Sequence, residues 1–321
     1  MMNVLELRKK IQTELPASLV VAEHDHTGHH YRYLPTNKVY DSVTTKSGIL
    51  DNPRLKRWAA NLAIEYIDRN WDTISTAKNK KDHYKAALLS HEDQFHDAGN
   101  IGTQGHDAIE RYLKRWIQTN IKPDDIRKFI LGEDSRLWAI TRSAEMFIND
   151  FGMIPIAAEV LIASPRHEFA GMLDCLAVLL KEHTPGNKSL TGDHKCIEES
   201  FGPTDDGRLR SKYWQCGECG RIVEPVFTLV DWKTSNSIDK PEYAMQVSAY
   251  WQGLWELTGL RPKELVIVRL DKVKAKYEVM RIQNRPEAFR AFKHVTKVYD
   301  WINNGRSKLL PYTPKKETFI V

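Results

Sequence analysis

Residues 226–235 read VFTLVDWKTS. Val226, Phe227, Leu229 and Val230 suit a buried strand, yet the run ends in Asp231 and Lys233. A strand alternates its faces, so these two side chains project from the same side, with Cα atoms about 6.6 Å apart at roughly 3.3 Å per residue. An acid and a base therefore share one place at the end of an apolar strand. Burial alone gives no reason for either.

A second apolar run, FAGMLDCLAVLL at 169–180, also carries an isolated acid, Asp174. Gly171 just before it permits close backbone approach. If the two runs pair, Asp174 lies beside Asp231. Facing carboxylates repel and raise each other's pKa unless a cation lies between them. A hard ion such as Mg²⁺ removes that cost, because it takes oxygen ligands and uses one or two carboxylates with waters and phosphate oxygens. An ammonium beside it would stabilise charge developing on a phosphate or help position an attacking water, as phosphodiester hydrolysis requires.

The Asp-x-Lys triplet carries little by itself. At average composition an acid-x-Lys triplet arises about twice in a chain of this length, and two occur, DHK at 193–195 and DWK at 231–233. Only DWK ends an apolar strand and follows a strand with its own isolated Asp. The residues alone leave two readings open, a metal site or a structural Asp231–Lys233 surface pair.

The chain has 321 residues, 41% of them hydrophobic, enough for one large domain or two ordinary ones. The formal net charge of +5 is a mild basic excess that suits a polyanionic partner and is also common without one. No run of about 18 apolar residues appears. The N-terminal stretch MMNVLELRKKIQTELPASLV is amphipathic and lacks the apolar core of a signal peptide, so a cytoplasmic protein with no membrane partner is expected.

From about Asp51 to Asp150 the apolar residues recur every three and four, predicting helices in RLKRWAANLAIEYI, KDHYKAALLSHEDQFHDAG, TQGHDAIERYLKRWIQ and SRLWAITRSAEMFIND. After Pro155 the pattern becomes strands in IAAEVLIAS, FAGMLDCLAVLL and VFTLVDWKTS. A helix follows in KPEYAMQVSAYWQGLWELTG, then strands in ELVIVRL and YEVMRI, and a closing helix from about Pro286 to Asn304. The expected architecture is an α/β core over 156–321 preceded by an N-terminal segment and helical region over 1–155. Residues 181–225, rich in Gly, Pro, Asn and Asp, are too long for a hairpin connection and read as an insertion within the core.

Further residues join the acid and base in a fixed order. GTQGH carries His106, AAEV carries Glu159, GMLD carries Asp174, DWK carries Asp231 and Lys233, and QVSAY carries Gln246 and Tyr250. This order resembles the PD-(D/E)XK nuclease superfamily, specifically its RecB-like branch, the group that includes mitochondrial genome maintenance exonuclease and phage exonucleases. YDSVTTKSGILDNPRLKRWAANLA is also similar to the N-terminal segment of that group. The likeness spans roughly residues 31–285 without the insertion.

The resemblance implies a restriction-endonuclease-like core, a central mixed sheet flanked by helices. It implies that Asp174 and Asp231 are ligands to Mg²⁺ or Mn²⁺, that Lys233 is the catalytic lysine, and that His106 is an additional metal-site residue on a helix closing over the site. Glu159 would flank the centre. Gln246 and Tyr250, four apart on one helix face, would serve near the active site and the DNA end. The implied function is a metal-dependent exonuclease acting on single-stranded DNA or duplex ends, in recombination, repair or replication. An endonuclease of a repair or restriction system and a catalytically inert nucleic-acid-binding module are the alternatives. Arg57 and Trp58, and Arg111, Lys114, Arg115 and Trp116, are candidate phosphate and base contacts.

Four cysteines occur. Cys175 adjoins Asp174 in a strand and should face away from it as a small buried thiol. In the insertion, DHKCIEES supplies His194 and Cys196, and YWQCGECGR supplies Cys216 and Cys219. The glycine-flanked Cys-x-x-Cys resembles a zinc knuckle. Structural Zn²⁺ held by His194, Cys196, Cys216 and Cys219 is expected, because so polar an insertion has little apolar surface with which to fold. A metal-free loop and an iron–sulfur cluster are the alternatives. The cluster spacing of RecB-like nucleases, with one cysteine far upstream and three near the C-terminus, is absent.

Overall fold

The computed structural model describes residues 3–25, 28–50, 53–182, 201–203, 214–216 and 222–305. A mixed sheet of five strands forms its centre, in the order β10-β9-β8-β5-β4. The strands are β4 (Ile154–Ser164), β5 (Phe169–Glu182), β8 (Ile222–Lys233), β9 (Glu264–Leu270) and β10 (Tyr277–Arg281). Pairing is antiparallel except between β8 and β9, which run parallel. Helix α7 (Pro241–Thr258) makes that parallel crossover, as a parallel connection requires. Pro241 opens α7, and Gly259, at φ 68°, closes it in the left-handed conformation with its N–H on the Trp255 carbonyl.

Both faces of the sheet are covered, which explains the near-continuous apolar runs of β5 and β8. Leu173, Leu176, Val178, Phe227, Leu229 and Ile267 pack on one side with Val247 and Leu254 of α7 and Phe292 of α8 (Arg285–Asp300). Cys175, Ala177, Leu179, Val230, Trp232 and Val268 pack on the other. There they meet α5 (Lys80–Thr119), through Ile109, Tyr112 and Leu113, and α6 (Ser135–Asp150), through Ile140, Ala144 and Phe147. Cys175 is fully buried and free, as its position beside Asp174 predicts.

The N-terminal segment belongs to the same core. In α1 (Val4–Glu14) a capping box of Asn3 and Glu6 starts the helix, and Val4, Leu7 and Ile11 pack with the α7 side of the sheet. Buried Arg8 donates to the Pro155 carbonyl from Nε at 3.1 Å and from Nη2 at 2.6 Å, and to Asn120 Oδ1 from Nη1 at 2.5 Å. One guanidinium thus joins α1, the start of β4 and the end of α5.

Four features differ from the sequence expectation. The predicted helices at KDHYKAALLSHEDQFHDAG and TQGHDAIERYLKRWIQ are one 40-residue helix, α5. The glycines between them do not break it, because helical glycine costs only about 1 kcal/mol and proline is absent. A small antiparallel sheet, β1 (Val20–Asp25), β2 (Gly28–Tyr33) and β3 (Lys38–Asp41), precedes the helices. Two short helices, α2 (Val43–Ser47) and α4 (Trp71–Thr76), flank α3 (Pro53–Arg69). The ends of the 181–225 insertion also belong to the sheet, since Lys181 pairs with Glu224 and Glu182 with Val223.

Within the insertion, β6 (Phe201–Pro203) pairs with β7 (Trp214–Cys216), which pairs with β8. Cys216 ends β7, whereas His194, Cys196 and Cys219 lie outside the described residues. None of the described helices is long and apolar enough to cross a membrane.

Glycines on one side of α5 set how closely it approaches its neighbours. A Cβ at Gly102 would lie 2.7 Å from Thr234 Oγ1, and one at Gly105 would lie 2.8 Å from Ile140 Cγ2, whereas one at Gly99 would meet nothing within 4 Å. Alanine should therefore act with opposite sign along one helix. Gly99→Ala should stabilise by about 1 kcal/mol through helix propensity. Gly105→Ala should destabilise by up to about 2 kcal/mol, because an overpacking cost of ~1–3 kcal/mol outweighs the same gain. Urea midpoints with unchanged slopes read both; stabilisation by both substitutions would contradict the α5–α6 packing.

Candidate active site

The antiparallel register of β5 and β8 creates the site. Cys175 pairs with Val230 and Leu176 with Leu229, so the next position along the ladder sets Asp174 across from Asp231. The Asp174 carboxylate accepts the Trp232 backbone N–H at 2.8 Å, which anchors it to the end of β8. Asp231 shares its strand face with Leu229, on the α7 side, while Val230 and Trp232 pack toward α5 and α6.

Asp231 has no exposed surface. Its Oδ2 lies 2.7 Å from Lys233 Nζ. That ion contact apart, neither carboxylate oxygen has a hydrogen-bond partner among the described residues. The pair is therefore not the surface salt bridge that the triplet alone permits. Burial above all, and also the Asp174 charge, push the Asp231 carboxyl up to about 6 against the opposing pull of Lys233. Burial likewise raises Asp174. For Lys233, burial favours the neutral amine, but the two carboxylates outweigh it and hold the ammonium charged.

His106 enters from α5, its Nδ1 3.8 Å from Asp174 Oδ2. Burial and the nearby Lys233 charge hold its imidazole down at about 4. It is thus neutral near pH 7, with a ring nitrogen available as an acceptor or ligand. Tyr250, on α7, takes a hydrogen bond at 2.9 Å from Gln246 Nε2. Burial, then the Asp231 charge, raise its phenol well above the ordinary value. Tyr250 consequently keeps its proton for donation.

Glu159 lies at an interruption of β4. Ala158 pairs with Cys175 and Val160 with Leu173, but Glu159 between them makes no ladder pair and has φ 49°. Such a conformation costs a non-glycine residue on the order of 1–3 kcal/mol and is concentrated at functional sites. Burial, followed by the Glu110 carboxylate to which it hydrogen-bonds, pushes Glu159 up to about 7.

The structure thus gathers His106, Glu159, Asp174, Asp231, Lys233, Gln246 and Tyr250, all seven of the sequence candidates outside the insertion. It adds two residues. Glu110 stands one turn beyond His106, bonded to Glu159 and also to Lys114. Tyr243 puts its ring 5.1 Å from Lys233 Nζ and donates to Ser235 Oγ at 2.9 Å. Tyr243 is marked in the sequence by its helical spacing with Gln246 and Tyr250, whereas Glu110 is one acid on a charged helix face and carries no such mark. A cleft of about 330 Å³ borders the site, its wall including His106, Lys233, Thr234, Tyr243 and Lys272.

The expected nucleic-acid contacts fare unevenly. Trp116 is a core residue, 4% exposed and packed edge-on against Tyr112, so it offers no stacking face. Arg111 is committed to the Phe129 carbonyl through Nε and Nη2, and Lys114 to Glu110. Trp58 is half-buried and meets His91 edge-on, whereas Arg57 and Arg115 are exposed.

The donor set fits a hard divalent ion. Among the described residues no three His, Cys, Asp or Glu side chains already form a metal cluster, but an oxygen-preferring ion of the Mg²⁺ type needs only one or two carboxylates from the protein. Asp174 and Asp231 would supply them, and the Asp231 oxygens, which apart from Lys233 have no partner among the described residues, are what such an ion would satisfy. Compared with known proteins, the chain matches no family model and no curated protein.

Gly171 makes room for Tyr250. A Cβ there would lie 2.8 Å from Tyr250 Cε1 and 3.6 Å from Val43 Cγ2. Gly171→Ala should displace the ring and destabilise by about 1–3 kcal/mol. In a Tyr250→Leu background the same substitution should cost clearly less, a coupling that a double-mutant cycle measures. Additive effects would show that the ring does not depend on the glycine.

Proposed function

We propose that the protein is a divalent-metal-dependent deoxyribonuclease of the PD-(D/E)XK type, an exonuclease acting on single-stranded DNA or DNA ends. One observation carries the reading. A carboxylate without exposed surface, Asp231, faces a second carboxylate across two paired strands and contacts a single ammonium. A structural ion pair requires only one acid, whereas two facing carboxylates relieve their mutual repulsion by sharing a cation.

In this reading Asp174 and Asp231 hold Mg²⁺ or Mn²⁺, with neutral His106 beside Asp174. The ion supplies Lewis-acid activation of water and neutralises phosphate charge. Lys233, kept charged by its carboxylates, donates to the scissile phosphate or the attacking water. Tyr250, held by Gln246, donates its phenol proton to a phosphate oxygen. Glu159, raised to about 7, hydrogen-bonds Glu110 beside the carboxylates. Basic residues lining the cleft, Lys233 and Lys272, suit a polyanionic strand. Zinc held by His194, Cys196, Cys216 and Cys219 is proposed on their spacing alone.

Asp231→Asn and Lys233→Ala should each lower Mg²⁺-dependent cleavage of end-labelled DNA on the order of 10²–10³-fold or more, with DNA binding largely kept. A linear single strand should be degraded while the same sequence closed into a circle resists. Near wild-type turnover by Asp231→Asn would remove the site assignment, and rapid cutting of the circle would make the enzyme an endonuclease.

A further inference from the structure

A second cleft, of about 320 Å³, shares no lining residue with the first. Its walls include Ser248, Trp251, Gln252 and Trp255 of α7, with Arg261 and Arg285 from the segments that follow. At about 100° per residue, Ser248, Gln252 and Trp255 leave α7 on the side away from Gln246 and Tyr250.

The two arginines are held by stacking and not by acids. The Arg285 guanidinium carbon lies 3.5 Å from the Trp251 ring centroid, and that of Arg261 lies 4.9 Å from the Trp255 centroid. The indoles are 5.8 Å apart and inclined by 33°. Stacking on indole fixes the plane of a guanidinium while leaving its N–H groups free to donate. Among the described residues neither guanidinium has an ion-pair or hydrogen-bond partner. Glu256, next on α7, is engaged elsewhere, accepting from Gln252 Nε2 at 2.7 Å and Ser164 Oγ at 2.8 Å.

Two further observations favour an anionic ligand. Burial, and then the Arg261 charge, lower the pKa of Arg285, so the two cations sense each other without a counter-charge. Ser248 is among the residues that line the cleft, and its hydroxyl, itself without exposed surface, has no hydrogen-bond partner among the described residues. A buried hydroxyl left unpaired costs about 1–3 kcal/mol. Ordinary core packing gives no return for it.

We propose that this cleft binds a phosphate group, with Arg261 and Arg285 donating to its oxygens and Ser248 supplying a further donor. Planar guanidiniums match phosphate oxygens in pairs, and a dianion would relieve both their mutual repulsion and the orphaned hydroxyl. The phosphate comes either from a free nucleoside monophosphate or from the backbone of a strand. The cleft does not depend on the nuclease reading, because it uses none of that site's residues.

Calorimetry on the full chain in EDTA tests it, with inorganic phosphate, thymidine 5′-monophosphate, a thymidine oligonucleotide and polyglutamate as probes. Wild-type protein should bind a phosphate-bearing probe, and Arg261→Gln combined with Arg285→Gln should weaken that binding at least 10-fold. Ser248→Ala should weaken it several-fold while leaving the melting temperature unchanged or higher, an outcome that loss of folding cannot mimic. A loss confined to the monophosphate assigns a nucleotide site; a loss confined to the oligonucleotide assigns a strand contact. Equal binding of every phosphate probe by wild type and variants would overturn the proposal, as would a loss seen with polyglutamate alone.

Discussion

Asp231 carries the constraint on which the rest of the site depends. It has no exposed surface, its Oδ2 meets Lys233 at 2.7 Å, its oxygens meet no other hydrogen-bond donor among the described residues, and a second carboxylate stands across the ladder. Burying such a group is costly, and the raised Asp231 and Asp174 pKa values express that cost. The fold offsets it with a central strand held on both sides, β5 by antiparallel and β9 by parallel pairing. Register thereby becomes chemical, because a slip of one residue would turn Asp231 and Lys233 to the α5 face and put Trp232 in their place.

Close approach of the surrounding helices completes the environment. Glycines at 102 and 105 let α5 settle against Thr234 and Ile140, which brings His106 to Asp174. Gly171 gives Tyr250 its place in the same way. The opposite side of α7 is built on other principles, with indole-stacked arginines in place of buried acids. One helix thus serves two clefts of different electrostatic character.

Legibility in the sequence followed the strength of the physical signal. The principal strands after Pro155 were readable outside the insertion because β4, β5, β8 and β9, buried on both faces, are largely apolar runs, and α7 between them has firm end signals in Pro241 and Gly259. The facing of Asp174 and Asp231 followed from strand parity once the two runs pair. The β1–β3 sheet was not readable, since stretches such as GHHYRY alternate weakly and carry histidine and arginine. Helix α5 reads as two helices from the sequence and is one, in which Gly102 and Gly105 serve as close contacts. Trp116, a candidate base contact beside Arg115, lies in the core, as its helical phase with Tyr112 and Leu113 requires. Glu110 was passed over because one acid on a charged helix face carries no signal until Glu159 is seen opposite it.

The account turns on whether the two carboxylates bind a divalent ion. Anomalous diffraction from crystals soaked in Mn²⁺ answers this without reference to substrate or turnover. A manganese peak within ligand distance of both Asp174 and Asp231, lost in Asp231→Asn, is the predicted result. Absence of that peak at millimolar Mn²⁺, with Lys233 still paired to Asp231, would contradict the account.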